Sequence, residues 1–206
     1  MRKINSILFF IVTIVISLNS YSQKLSLPEE EKEEFEYRAG RMVELFTIGI
    51  QQIPGFEGEP ILKDKAIKNV LDLFAKGSTI ELAFLSGRKE VKSMSTYLNN
   101  LRNYASQGKL VEIEIVDFNV KNIEPHDTEL GVYVVEFNFV QIFRRKNDYI
   151  PYPIQNNEEL KKNEWDYVDR TYKSGQAVVK KVTNRYGTTW QMLLGDVKAD
   201  KVEKYE

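Results

Sequence analysis

The chain has 206 residues, with 29 Lys and Arg against 30 Asp and Glu, one His and no Cys. A net charge of −1 leaves no electrostatic footprint for nucleic acid or for an anionic membrane surface. The lack of Cys excludes disulfides, a lipid-bearing cysteine and thiolate zinc sites, so the chain must hold itself together through an ordinary apolar core.

Arg2 and Lys3 precede an apolar run over residues 7–18, broken only by Thr13 and Ser17. Ser20 and Ser22 then stand two apart, just before Gln23. A basic start, an apolar stretch and a small-x-small step form the pattern of a signal peptide, here residues 1–22. The apolar run is shorter than the roughly 20 residues of a spanning helix, so no membrane span is expected. The mature chain is expected to be periplasmic or secreted and soluble.

Residues 23–28 form a leader. Ser26 and Glu29 have the spacing of a capping box that opens a first helix. Glu30, Glu31, Glu33 and Glu34 occupy its first turns, where the helix dipole favours negative charge; this accounts for the acids better than a cation site does. Phe35, Ala39, Met42, Val43, Phe46 and Ile50 then share one helical face, and Pro54-Gly55 ends it. After a turn-rich link, Ile67, Val70, Leu71 and Phe74 mark a second helix stopped by Gly77. Residues 79–85 read as a strand and Ser86-Gly87 as a tight turn. Residues 88–94 return as a second strand, with Ser95 capping a third helix. That helix carries Tyr97, Leu98, Leu101, Tyr104 and Ala105 on one face and closes at Gly108.

From Lys109 the period falls to two. Val111, Ile113 and Ile115 alternate with acids, and then Val116, Phe118 and Val120 take over. The adjacent apolar pair Ile115 and Val116 predicts a β-bulge, which also lets Val111 and Val120 reach the same face. Residues 125–128 read as a turn and residues 129–144 as a long strand. One side of that strand carries Tyr133, Val135, Phe137, Phe139 and Phe143; the other carries Val132, Val134, Val140 and Ile142. With helices on one side, the second apolar face predicts a homodimer, with folding back of the 146–170 loop as the rival cover. Residues 172–182 and 188–196 are the last two strands, joined at 184–187, and residues 198–206 read as a charged tail.

Helix, helix, strand, strand, helix and then four long antiparallel strands is an order that resembles the NTF2-like superfamily, with its SnoaL-like and ketosteroid-isomerase-like members. The hairpin over residues 79–94 running into the Tyr97–Tyr104 helix carries the resemblance, together with the closing strand from Trp190 to Asp196. It covers residues 29–197 and implies an α+β fold in which three N-terminal helices lie in a strongly curved antiparallel sheet. Such domains bind small molecules, bind proteins, or act as cofactor-free isomerases, dehydratases or hydrolases. The isomerase pattern of an acid, a tyrosine and a second acid finds only Glu81, Tyr37 and Asp117 here, with no motif to join them, so no catalytic residue is assigned.

His126, in a Pro-His-Asp-Thr turn, is too isolated for zinc or for a Ser-His-Asp triad. No Gly-rich phosphate loop or calcium loop is present, and no cofactor or metal is expected. Tyr149, Tyr152, Trp165, Tyr167 and Tyr172 cluster around the long loop, where they either stack on a ligand or pin the loop to the sheet. Trp190 alternates with Met192 and Leu194 and reads first as core. The candidate pocket or groove residues are Tyr37, Tyr133, Phe137, Tyr152, Trp165, Tyr167 and Trp190. The expected function is non-catalytic binding of a small molecule, glycan or peptide by an exported domain. A cofactor-free enzyme and a structural dimerisation module are the alternatives. Intact-mass measurement of the exported protein is expected to show a chain beginning at Gln23; retention of residues 1–22 would contradict it.

Overall fold

Residues 27–55, 60–147 and 165–205 are described by the structure, a computed structural model of the chain. The segment expected to be a signal peptide, the expected cap at Ser26, and Tyr149 and Tyr152 lie outside the described residues. The chain divides into residues 1–34 and residues 35–206. In the first unit, Glu29, Glu30 and Glu31 occupy the opening turn of helix α1 (Glu29–Gly55), and Lys32 pairs with Glu29 at 2.9 Å. From Phe35 onward the chain belongs to the second unit, which holds the rest of α1 and every other element.

Phe35, Ala39, Val43, Phe46 and Ile50 are buried along one face of α1, as their spacing predicts. Helix α2 (Pro60–Leu71) is shorter than expected. Phe74 leaves the helix to make a parallel bridge with Leu194, and its ring meets Phe46 edge-on at 5.3 Å. Strand β1 (Thr79–Ala83) and strand β2 (Lys89–Ser93) form the expected hairpin. Its turn needs the positive φ of Gly87, +82°, which an L side chain adopts only under strain. Helix α3 (Met94–Ser106) is capped by Ser93 rather than Ser95: the Ser93 hydroxyl accepts from the Thr96 N–H at 3.1 Å.

Strands β3 (Leu110–Pro125), β4 (Val132–Lys146), β5 (Tyr167–Asn184) and β6 (Gly187–Lys204) complete a six-stranded sheet in the order β2-β1-β6-β5-β4-β3. All pairings are antiparallel except β1 with β6, where Asp196 accepts from both the N–H and the hydroxyl of Thr79. Two boundaries differ from expectation. β5 starts at Tyr167, so residues 167–171 belong to the sheet rather than to the loop. β6 runs to Lys204, so most of the expected charged tail pairs with the start of β5. In both places charged side chains break the apolar pattern of a paired strand, which a reading by apolar content alone passes over.

The predicted bulge in β3 lies two residues further on, between Val116 and Asn119, with Asp117 at φ 55°. Val116 stays opposite Val140 on the outer face. The extra residue then turns Phe118 inward, where its ring meets Phe137 at 5.7 Å. Val111 opposite Arg145 and Val120 opposite Phe137 therefore share the inner face. A second shift between Val120 and Asn122 was not foreseen.

On the outer face of β4, Val134 is half-buried. Val132, Val140 and Ile142 are already buried within the single chain. Glu114 and Arg170 flank Ile142, and Val116 and Tyr172 flank Val140. Arg144 pairs with Glu112 and, at 3.1 Å, with Glu114, so long polar side chains extend along this face and their stems cover apolar surface.

On the inner face, Phe137 stacks on Phe139 and lies against Gly175 of β5. A Cβ at position 175 would stand 2.7 Å from the Phe137 ring. Gly175→Ala is therefore expected to lower stability by about 1–3 kcal/mol through displacement of that ring. Denaturant midpoints followed by circular dichroism check this, and an unchanged midpoint would contradict it.

Candidate functional site

Strands β4 and β5 change character along their length. From β5, the inward residues Ala177 and Val179 are fully buried core, whereas Lys173, Thr171 and Asp169 continue the same face as buried polar groups. On β4, Val135, Phe137 and Phe139 give way to Gln141, Phe143 and Arg145. The register superimposes the two polar ends: Gln141 pairs with Thr171, Phe143 with Asp169 and Arg145 with Tyr167. This polar floor is what sheet pairing creates from two stretches that look unremarkable separately.

Above the floor, Tyr97, Asn100, Leu101 and Tyr104 of α3 fall at helical spacing on one face. The β1–β2 hairpin closes the side with Leu82, Phe84 and Leu85. Together these elements enclose a cavity of about 410 Å³. Aromatic rings form much of its wall. Phe143 meets Tyr104 at 6.3 Å and Tyr167 at 6.2 Å, and the Arg145 guanidinium lies 5.3 Å from the Tyr167 ring.

Burial sets the electrostatics. It pushes the Asp169 carboxyl above its ordinary range, against the hydrogen bonds from Tyr167 and Thr171 and the charge of Lys173. The Thr171 hydroxyl donates to Asp169 at 3.1 Å. Burial and then the Asp169 charge push Tyr167 up to about 12. The Tyr97 hydroxyl is raised by burial, then by Tyr104 and Asp169. Lys173 is pulled down to about 8 by burial, although Asp169, Glu81 and Asp200 pull the other way. Its ammonium donates to the Glu81 carbonyl at 2.8 Å. The Tyr97 hydroxyl, Gln141 Oε1 and Arg145 Nε are buried without a hydrogen-bond partner among the described residues.

Of the residues expected at a pocket or groove, Tyr167 lines this cavity. Tyr133 and Trp190 instead pack with Phe35 into an aromatic cluster, with ring centroids 5.0–5.8 Å apart. Phe137 is core, Tyr37 is 75% exposed, Trp165 is half-buried, and Tyr152 lies outside the described residues. Glu81 is held by Lys89 at 2.8 Å, and Asp117 is exposed in the bulge; neither lines the cavity. Sequence reasoning missed Asp169, Thr171, Lys173, Tyr97 and Gln141 as site residues. The available signal was the alternation of Tyr167, Asp169, Thr171 and Lys173 at strand period, which the charged residues before it concealed. Among the described residues no group of three or more His, Cys, Asp or Glu could hold a metal, and no helix is long and apolar enough to cross a membrane.

The expected α+β layout is present, with three helices and an unclosed six-stranded sheet. No family model and no curated protein matches the chain. Several solved structures do. The Kfla4162 protein from Kribbella flavida is 15% identical, covering 85% of this chain and 95% of that one, with a TM-score of 0.38. ActVI-ORFA from Streptomyces coelicolor is 7% identical, covering 79% and 95%, with a TM-score of 0.37. The Mtr2–Mex67 M domain complex of C. albicans matches at 11% identity, 82% and 96% coverage and a TM-score of 0.41.

Asp169 has a raised pKa in the folded chain, so the fold binds its proton more tightly than the unfolded chain does. Stability therefore falls as pH rises from the unfolded value, 3.8, through the folded value, and the cost stays fully present above that window. Asp169→Asn keeps an acceptor for Tyr167 and Thr171 and removes the charge. At pH 7 it is expected to raise the melting temperature by a few degrees, because about 1 kcal/mol moves Tm by about 2–4 °C in a chain of this size. The gain is expected to vanish below pH 3.8. Calorimetric scans across pH check this, and a variant less stable than the parent at pH 7 would contradict it.

Proposed function

We propose that the protein is an exported small-molecule-binding domain whose ligand occupies the cavity beneath α3. The observation that carries this reading is the buried polar floor of the cavity, Gln141, Asp169, Thr171 and Lys173, set under an apolar and aromatic wall. Buried polar groups are costly in a core, and a protein keeps them where a ligand meets them. The volume lies in the usual range for small-ligand pockets, about 300–1,000 Å³. The lining of Leu82, Phe84, Leu85, Leu101 and Phe143 favours a flat, mostly apolar molecule with one polar end. Export rests on the pattern of residues 1–22.

A second reading has its own support. Asp169 is a buried acid with a raised pKa, held by Tyr167 and Thr171 in the same cavity, which is the arrangement of a general acid or base working without a cofactor. Binding is the step both readings share, and it is tested first. The fluorescent probe 1-anilinonaphthalene-8-sulfonate, an apolar ring system with one anionic group, is expected to bind with one-to-one stoichiometry by titration calorimetry. Leu82→Trp, which enlarges a cavity-lining side chain of the hairpin, is expected to weaken that binding at least tenfold while leaving the circular dichroism spectrum unchanged. Absence of binding, or binding unaffected by the cavity-filling change, would overturn the reading.

A further inference from the structure

We propose that Lys173 is a covalent anchor in this cavity: its ε-amine condenses with the carbonyl group of an aldehyde or ketone ligand to form an imine. The proposal rests on the small-molecule reading and adds the chemical class of the ligand.

Lysine side chains ordinarily extend their ammonium to water even when the stem is covered. Lys173 does not: it is 2% exposed and lines the cavity on the inward face of β5. An ammonium has three N–H donors. Here it donates to the Glu81 carbonyl and forms no ion pair with a described residue. The acids that influence it, Asp169, Glu81 and Asp200, lie beyond ion-pair distance, and Glu81 is already engaged by Lys89. Clamping β1 to β5 would explain one hydrogen bond. It does not explain why a buried lysine lines an aromatic-walled cavity together with a buried acid and a tyrosine whose hydroxyl has no partner among the described residues.

Those neighbours match the needs of imine formation. The amine must first be neutral, since only its lone pair attacks carbon. With its pKa near 8, roughly a quarter of Lys173 is neutral at pH 7.5, against about 0.1% for an exposed lysine at its reference value. The charged and titratable groups around it are Asp169 on β5, Glu81 on β1, Lys89 on β2 and Asp200 on β6, with Tyr97 and Tyr104 of α3, Glu90 and Lys92 of β2, Arg145 of β4 and Tyr167 of β5 on the cavity walls. The carbonyl oxygen needs a donor, and the Tyr97 hydroxyl has no partner among the described residues. Its pKa is raised, so it keeps its proton to donate.

In the first step the Lys173 nitrogen attacks the carbonyl carbon. The C–N bond forms, the C=O π pair moves to oxygen, and a proton passes from nitrogen to that oxygen to give a carbinolamine. In the second step Asp169, protonated in the fraction its raised pKa favours, gives its proton to the carbinolamine hydroxyl. The C–O bond breaks, water leaves, and the nitrogen lone pair forms the C=N bond. The product is an iminium ion beside the Asp169 carboxylate, and no oxidant or reductant is consumed. Positive charge on the Lys173 nitrogen then faces the negative charge that the empty cavity holds only at a cost.

The test uses benzaldehyde as the probe, with cyanoborohydride to reduce any imine to a stable benzyl amine, and then peptide mass mapping of the full chain. Lys173 is expected to be labelled at least tenfold faster than the exposed Lys68 and Lys180, with a rate rising through pH 8. Lys173→Arg keeps the cation and a donor to Glu81 but removes the nucleophile; it is expected to lose this fast label. Labelling of Lys173 no faster than the exposed lysines, while the naphthalene probe binds in the cavity, would overturn the covalent step and leave the binding reading standing. Failure of both probes would overturn both. The comparison of rates within the parent protein decides the matter even where the arginine variant does not fold.

Discussion

The contact between Phe137 and the bare backbone at Gly175 is the constraint on which the inner face of the sheet turns. The ring lies where a Cβ would otherwise stand, between Phe118 and Phe139. On one side of this contact β4 and β5 present Val135, Ala177 and Val179 to the helices, and the core is dry and apolar. On the other side they present Phe139, Lys173, Gln141, Thr171 and Asp169, and the interior opens into a cavity. One close approach of a ring to a backbone thus separates the part of the sheet that supplies stability from the part available for chemistry. The bulge at Asp117 serves the same contact, because the residue it inserts swings Phe118 inward to meet Phe137.

Beyond that boundary the chain carries features that work against its own stability. A buried lysine, a buried aspartate and three unpartnered polar atoms would each be better replaced by apolar groups if the fold alone mattered. The arrangement of hydrogen bonds limits the cost without removing it: Thr171 and Tyr167 satisfy Asp169, and the Glu81 carbonyl satisfies one donor of Lys173. Local departures from the rules of a stable core concentrate where a protein meets its ligand, since a site must keep polar atoms unpaired until the ligand arrives. The outer face shows the opposite arrangement. There the charges of Arg144, Glu112 and Glu114 pair with one another across strands, and the apolar residues beside them are closed off within the single chain.

Local patterns made the fold legible. The face of α1, the turn at Gly87, the helix of Tyr97, Leu98 and Leu101, and the break in the β3 alternation each depend on neighbours within a few residues. They survive as read, with shifts of one to three residues at the ends. Capping moved from Ser95 to Ser93 and the bulge from Val116 to Asp117 because hydrogen-bond geometry, rather than residue type, chooses between adjacent positions. The extensions of β5 and β6 were hidden for a different reason. Their residues are charged and alternate only weakly, and it is pairing with each other that makes them strand.

The sequence by itself determined the cysteine-free composition, the order of helices and strands, and the apolar faces that form the core, because periodicity and turn chemistry are short-range properties. Only the tertiary structure decided which polar residues meet. Gln141 and Thr171, Phe143 and Asp169, and Arg145 and Tyr167 are neighbours through antiparallel register, and Tyr97 reaches them from a helix more than forty residues away in the chain. Tyr133 and Trp190, which looked equally suited to a pocket, were drawn instead into the cluster around Phe35. An aromatic side chain carries no mark of whether it will line a cavity or fill a core; the distinction comes from what the fold brings against it.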